Sequence, residues 1–66
     1  MTETYKVTGM TCEHCARSVT EELSELAGVS DVAVDLETGA VTVTAEQPLA
    51  EADVRGAVEE AGYQLA

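Results

Sequence analysis

The spacing of apolar residues switches repeatedly between every second position and every third or fourth, and that order of periods is what most restricts the fold. Glu3 to Thr8 alternates, with Tyr5 and Val7 on one face, which predicts a short strand. Gly9 breaks it and opens the loop Gly9-Met10-Thr11-Cys12. From Glu13 to Ala27 the period becomes helical. Cys15, Val19, Leu23 and Leu26 form one apolar stripe, and Glu21, Glu22 and Glu25 take the opposite side. Gly28 stands where a helix C-terminal cap is expected. Val29 to Leu36 alternates again, with Val32, Val34 and Leu36 inward and Asp31 and Asp35 outward. Glu37-Thr38-Gly39 reads as a hairpin turn with Gly39 left-handed, and Val41, Val43 and Ala45 resume the inward set up to Pro48. A second helix is expected over Leu49 to Ala61, its stripe being Ala50, Val54, Ala57, Val58 and Ala61. Gly62 ends it, and Tyr63 to Ala66 has room only for a last short strand. The order βαββαβ predicts an α+β, ferredoxin-like sandwich: a four-stranded antiparallel sheet with two helices on one face. No linker interrupts it, so residues 1–66 are expected to form a single domain.

A chain of 66 residues buries only about 60% of the surface its unfolded form exposes, too little for a deep catalytic cleft. With no Trp or Phe, the core must be built from Val, Leu and Ala. There are 13 acidic residues against 3 basic ones, Lys6, Arg17 and Arg55, for a net charge of −10. Such a chain lacks the footprint for nucleic acid and is repelled by anionic membranes. The acidity either steers the domain to a basic partner or simply keeps it soluble. No apolar run approaches a membrane span and no signal-peptide core is evident, so the expected location is the cytoplasm. In a reducing compartment two cysteines serve as ligands or redox groups rather than as a staple.

One segment carries unusual chemistry: Gly9-Met10-Thr11-Cys12-Glu13-His14-Cys15. Cys12 lies on the loop and Cys15 in the first helical turn, where side chains three apart are neighbours at roughly 5–6 Å. Both sulfurs can reach one ion, and soft thiolates favour Cu(I) and Zn(II) over hard cations. A structural zinc wants four ligands, whereas one chain offers two cysteines and at most one histidine. A two-coordinate dithiolate suits Cu(I) and leaves the ion open to a third thiolate. No base, nucleophile pair or oxyanion site accompanies the thiols, so the chain is not expected to be an enzyme.

The other residues of the segment have plainer readings. Met10 is expected to fill a gap under the loop, and Thr11 to act as a weak N-cap. His14 is expected to face solvent, with auxiliary ligation of the metal as the alternative. Arg17 either pairs with Glu13 or Glu21 at helical spacing, the preferred reading, or offsets the charge of a dithiolate centre. Tyr63 either packs at the sheet edge or shields the metal loop with its hydroxyl. Glu51, Glu59 and Glu60 read as a solvated face.

The segment from Gly9 to Cys15 matches the GMTCxxC motif of heavy-metal-associated domains, and the resemblance runs through the element order to Gly62-Tyr63, covering essentially the whole chain. Among these domains it resembles bacterial copper chaperones of the CopZ type more than a metal-binding module of a transport ATPase. The resemblance implies Cu(I) held by Cys12 and Cys15 and passed by ligand exchange to a copper-transporting P-type ATPase. It also places Met10 as packing beneath the loop, and Tyr63 beside the metal, where eukaryotic relatives carry lysine. Mercury-binding relatives share the motif but carry a signal peptide. Zinc- and cadmium-type relatives often place an acid before the first cysteine, where this chain has Thr11. A start at Met1 and an end just past the last strand point to a free protein rather than an excised ATPase module. A dithiol redox protein is the rival from another class, mercury or zinc sequestration is a further one, and a copper-bridged homodimer is an additional expectation.

Overall fold

The computed structural model describes all 66 residues, in the order β1 (Thr2–Thr8), α1 (Glu13–Ser24), β2 (Val29–Asp35), β3 (Ala40–Ala45), α2 (Glu51–Glu60) and β4 (Gln64–Leu65). The strands form one sheet in the order β2-β3-β1-β4, every pairing antiparallel. This is the α+β, ferredoxin-like arrangement expected from the alternation of periods. No helix is long and apolar enough to cross a membrane.

The core follows from the two periodicities. Val7, Val41 and Val43 on the sheet meet Val19 and Leu23 of α1 and Val54, Ala57 and Val58 of α2. All are buried, and none is larger than Leu23. Side chains this short bring the helices close to the sheet. The opposite sheet face is wet, and there Thr2 faces Thr44 and Thr4 faces Thr42 across β1 and β3.

β1 begins at Thr2 rather than Glu3 and β2 ends at Asp35 rather than Leu36, and three further boundaries depart from expectation for visible reasons. The first helix stops at Ser24 rather than Ala27, because Glu25 and Leu26 tighten into bonds to Glu22 and Leu23, three residues back. Leu26 still packs against the core. The second helix begins at Glu51, and Ala50, expected on its buried stripe, is its exposed N-cap instead. In the last segment only Gln64 and Leu65 pair as strand, because Tyr63 is taken up by a turn in which its amide donates to Val58 O at 3.0 Å.

Gly39 shows why its turn needs glycine. Its φ is +77°, and a Cβ there would stand 2.8 Å from the Val7 carbonyl oxygen. Without one, Val7 N donates to Gly39 O at 2.8 Å. The β2–β3 hairpin is thereby tied to the end of β1, close to where the cysteine loop begins.

Candidate metal centre

Gly9, with φ +93°, ends β1 and turns the chain out of the sheet, and α1 begins four residues later. Cys12 is the N-cap residue of that helix. Its backbone is extended (φ −154°, ψ 173°), and its carbonyl accepts from Ala16 N at 3.2 Å. Thr11, expected to be the cap, lies one residue outside the helix and makes no capping bond. No side chain caps this end at all. The free amides of the first turn are thus left facing the loop.

The two thiols come together here. Cys12 Sγ and Cys15 Sγ are 3.5 Å apart, both unpaired covalently, with Cys12 exposed and Cys15 half-buried. That separation is far longer than a disulfide of about 2.05 Å and short enough for both sulfurs to bind one ion. The Cys15 thiol is lowered to about 6. The largest cause is a hydrogen bond from the Thr11 backbone amide, followed by the Tyr63 hydroxyl and the Cys12 thiol, against a desolvation penalty. The Tyr63 hydroxyl is correspondingly raised, first by its bond to Cys15 and then by burial and the nearby sulfur charges. The arrangement therefore holds a preformed thiolate beside a second thiol, which is the state a soft cation captures.

The remaining residues of the segment fall into place around the pair. Met10 is half-buried and packed against the core beneath the loop. His14 is exposed, and its carbonyl accepts from Ser18 Oγ at 3.2 Å. Arg17 makes no ion pair with Glu13 or Glu21. The ion pair that does form is Arg55 with Glu51 across one turn of α2, at 3.5 Å. Glu59 and Glu60 are exposed, as a solvated face requires. No group of three or more His, Cys, Asp or Glu side chains converges anywhere, so the pair of sulfurs is the concentrated donor set of the chain.

Two contributions were not read from the residues. The Thr11 amide leaves no trace in sequence, because any residue type supplies an N–H. The contact of Tyr63 with Gly9 does leave one. A Cβ on Gly9 would stand 3.2 Å from Tyr63 Cδ1, and the two residues stand opposite each other by the register that pairs Thr8 with Gln64.

Comparison with known proteins gives this geometry its context. The copper chaperone CopZ of Bacillus subtilis (strain 168) is 40% identical over 65 residues, covering 97% of this chain and 94% of that protein. A zinc/cadmium/lead-transporting P-type ATPase of Shigella sonnei (strain Ss046) is 43% identical over 61 residues, which are 92% of this chain but 8% of the ATPase. Among solved structures, a CopZ metallochaperone superposes over 100% of both chains with a TM-score of 0.92 at 33% identity. The family model of the heavy-metal-associated domain matches residues 4–64, and the chain belongs to that family.

Proposed function

We propose that this domain is a copper chaperone that carries one Cu(I) between the thiolates of Cys12 and Cys15 and passes it by ligand exchange to a copper-transporting P-type ATPase. The observation that carries the reading is the pair of sulfurs 3.5 Å apart at the start of α1, Cys12 exposed and Cys15 half-buried, and the lowered Cys15 thiol supports it. A donor set of two soft sulfurs suits a cuprous ion better than zinc, which wants four ligands. It also leaves the ion approachable. A thiolate of the acceptor adds, a sulfur of this chain departs, and no free ion is released.

Cys12 lies exposed at the end of the loop, while Cys15 is anchored in the first turn of α1, and these two sulfurs would hold the ion. His14 stays outside the ligand set in this reading, Met10 supports the loop from below, and Tyr63 donates to the sulfur charge. The role is binding and handover rather than catalysis, in a reducing cytoplasm that keeps both thiols available.

A second reading is a regulatory metal-binding module of a transport ATPase, favoured by the 43% identity to the zinc/cadmium/lead transporter. The length of the native reading frame separates the two. The test of the metal site is anaerobic Cu(I) titration against a cuprous chelator, run in parallel with Zn(II). The variants are Cys12→Ser, Cys15→Ser and the double replacement. One tightly held Cu(I) per wild-type chain is expected, with competition lost in the double variant. Copper binding that survives removal of both sulfurs, or preference for zinc, overturns the reading.

A further inference from the structure

We infer that the open edge of β2 is a surface on which a second copy of this chain can pair strand to strand, and that Asp31 and Asp35 hold that surface closed. The inference concerns the metal-free chain and is independent of which ion Cys12 and Cys15 carry.

The sheet order leaves two edges, β2 and β4. β4 is two residues long and offers too few backbone groups to template a partner. β2 has seven, Val29–Asp35, and pairs with β3 on one side only. Its register shifts between Val29 and Asp31, where Ser30 Oγ turns back to Thr44 O at 3.2 Å, so the regular run of the edge is Asp31–Asp35. Asp31, Ala33 and Asp35 are exposed on the wet face of the sheet, while Val32 and Val34 pack against the core on the other. The free N–H and C=O groups of such an edge are satisfied by another strand of the same kind. A second copy supplies one, because two identical antiparallel strands are self-complementary about a two-fold axis.

The two aspartates oppose that pair in every register. Antiparallel pairing of the whole run sets Ala33 against Ala33, and each Asp31 directly opposite Asp35 of the second copy. Their Cβ atoms then stand about 4.5–5.5 Å apart on one face, where like charges repel. A slip of two residues leaves the carboxylates diagonal, about 7–8 Å apart. A slip of four sets Asp31 against Asp31 or Asp35 against Asp35. A slip of one turns the aspartates to the side of Val32 and Val34, against which α1 packs, and there a carboxylate loses its water. Asp35 also accepts from Glu37 N at 3.0 Å and so supports the hairpin turn, which makes Asp31 the cleaner residue to change.

The experiment is sedimentation of the reduced, metal-free chain over a concentration series in 0.15 M salt, where screening acts over about 8 Å and distant charges count little. Asp31→Lys makes the edge self-complementary, since the new ammonium faces Asp35 of the second copy at two places. It is expected to self-associate about tenfold or more tightly than the parent, the scale of two cross-strand contacts changed from repulsive to attractive. Asp31→Asn should fall between the two. Glu59→Lys, which changes the net charge equally on the exposed side of α2, should leave association at the parental level. Asp31→Lys combined with Asp35→Lys restores like charges to the pair and should associate less tightly than Asp31→Lys alone, although that chain is nearer to neutral. Hydrogen exchange of the associated Asp31→Lys chain should show added protection within residues 31–35 and none at Gln64 and Leu65. An Asp31→Lys chain that stays monomeric at every concentration overturns the inference. So does association equalled by Glu59→Lys or by the double replacement, or protection that falls outside β2. Thermal unfolding of each variant establishes that folded chains are being compared.

Discussion

Cys15 joins the site to the stability of the fold. In an unfolded chain a thiol titrates near 8.5, whereas the folded loop holds Cys15 at about 6. Between those values the unfolded state binds more protons, so stability rises with pH across that window. The contribution is complete above about 8.5 and is lost as pH falls through 6. Chemical denaturation of the reduced, metal-free chain at several pH values should show this slope, and Cys15→Ser should flatten it. The kinetic counterpart is the alkylation of Cys15, followed by mass spectrometry, whose pH profile should have its midpoint near 6. Tyr63→Phe removes one of the causes and should move that midpoint up. A profile centred at the value of a free thiol would mean that neither the Thr11 amide nor the Tyr63 hydroxyl reaches the sulfur. At this scale the cysteines and Met10 were legible in sequence, because their chemistry belongs to their side chains. The cap was not. Thr11 has the right side chain one position too early, and helix entry at Cys12 is a backbone outcome.

The elements were legible in type and less so at their ends. Val19 and Leu23, or Val41 and Val43, declare their element through spacing alone, since a buried stripe has one period. Ends depend on which backbone groups find partners. The tightened turn at Glu25–Leu26 and the Tyr63 bond to Val58 O are tertiary outcomes that no local pattern announces. Two glycines make opposite predictions at this scale. Gly56 lies inside α2 with an exposed face, and a Cβ there meets nothing within 4 Å. Gly56→Ala should therefore stabilise the chain by about 0.5–1 kcal/mol, seen as a higher unfolding midpoint. Gly39→Ala should destabilise by more than about 1 kcal/mol, since the left-handed backbone and the Val7 carbonyl both oppose a methyl. Leu23→Ala should be worse still. Such core truncations cost about 2–5 kcal/mol, against a total of about 3–10 kcal/mol expected for a chain of this size. Thermal unfolding of that variant followed by circular dichroism should show a markedly lower midpoint than the parent.

For the molecule as a whole, a net charge of −10 on 66 residues governs every encounter. Exposed acids lie along both helices, Glu13 and Glu21 on α1 with Glu25 just past its end, and Glu51, Asp53, Glu59 and Glu60 on α2, with Arg17 and Arg55 exposed among them. In the proposed role a copper ion held by two sulfurs would be open to thiolates from outside, and two sources would compete: a second copy of this chain, or an acceptor protein. Salt discriminates between them. Two copies repel each other over a screening length that shrinks from about 30 Å at 0.01 M to about 8 Å at 0.15 M. Copper-bridged self-association should therefore strengthen as salt is added. Approach to an acceptor with a basic docking face runs on attraction, so its association rate should fall over the same range. Sedimentation of the Cu(I)-loaded chain at both ionic strengths, beside the metal-free chain, tests the first. Stopped-flow transfer to an acceptor domain tests the second. A loaded chain that stays monomeric at every salt concentration removes the homodimer. A transfer rate indifferent to salt would mean that the acidity keeps the carrier soluble and has no part in choosing where it delivers.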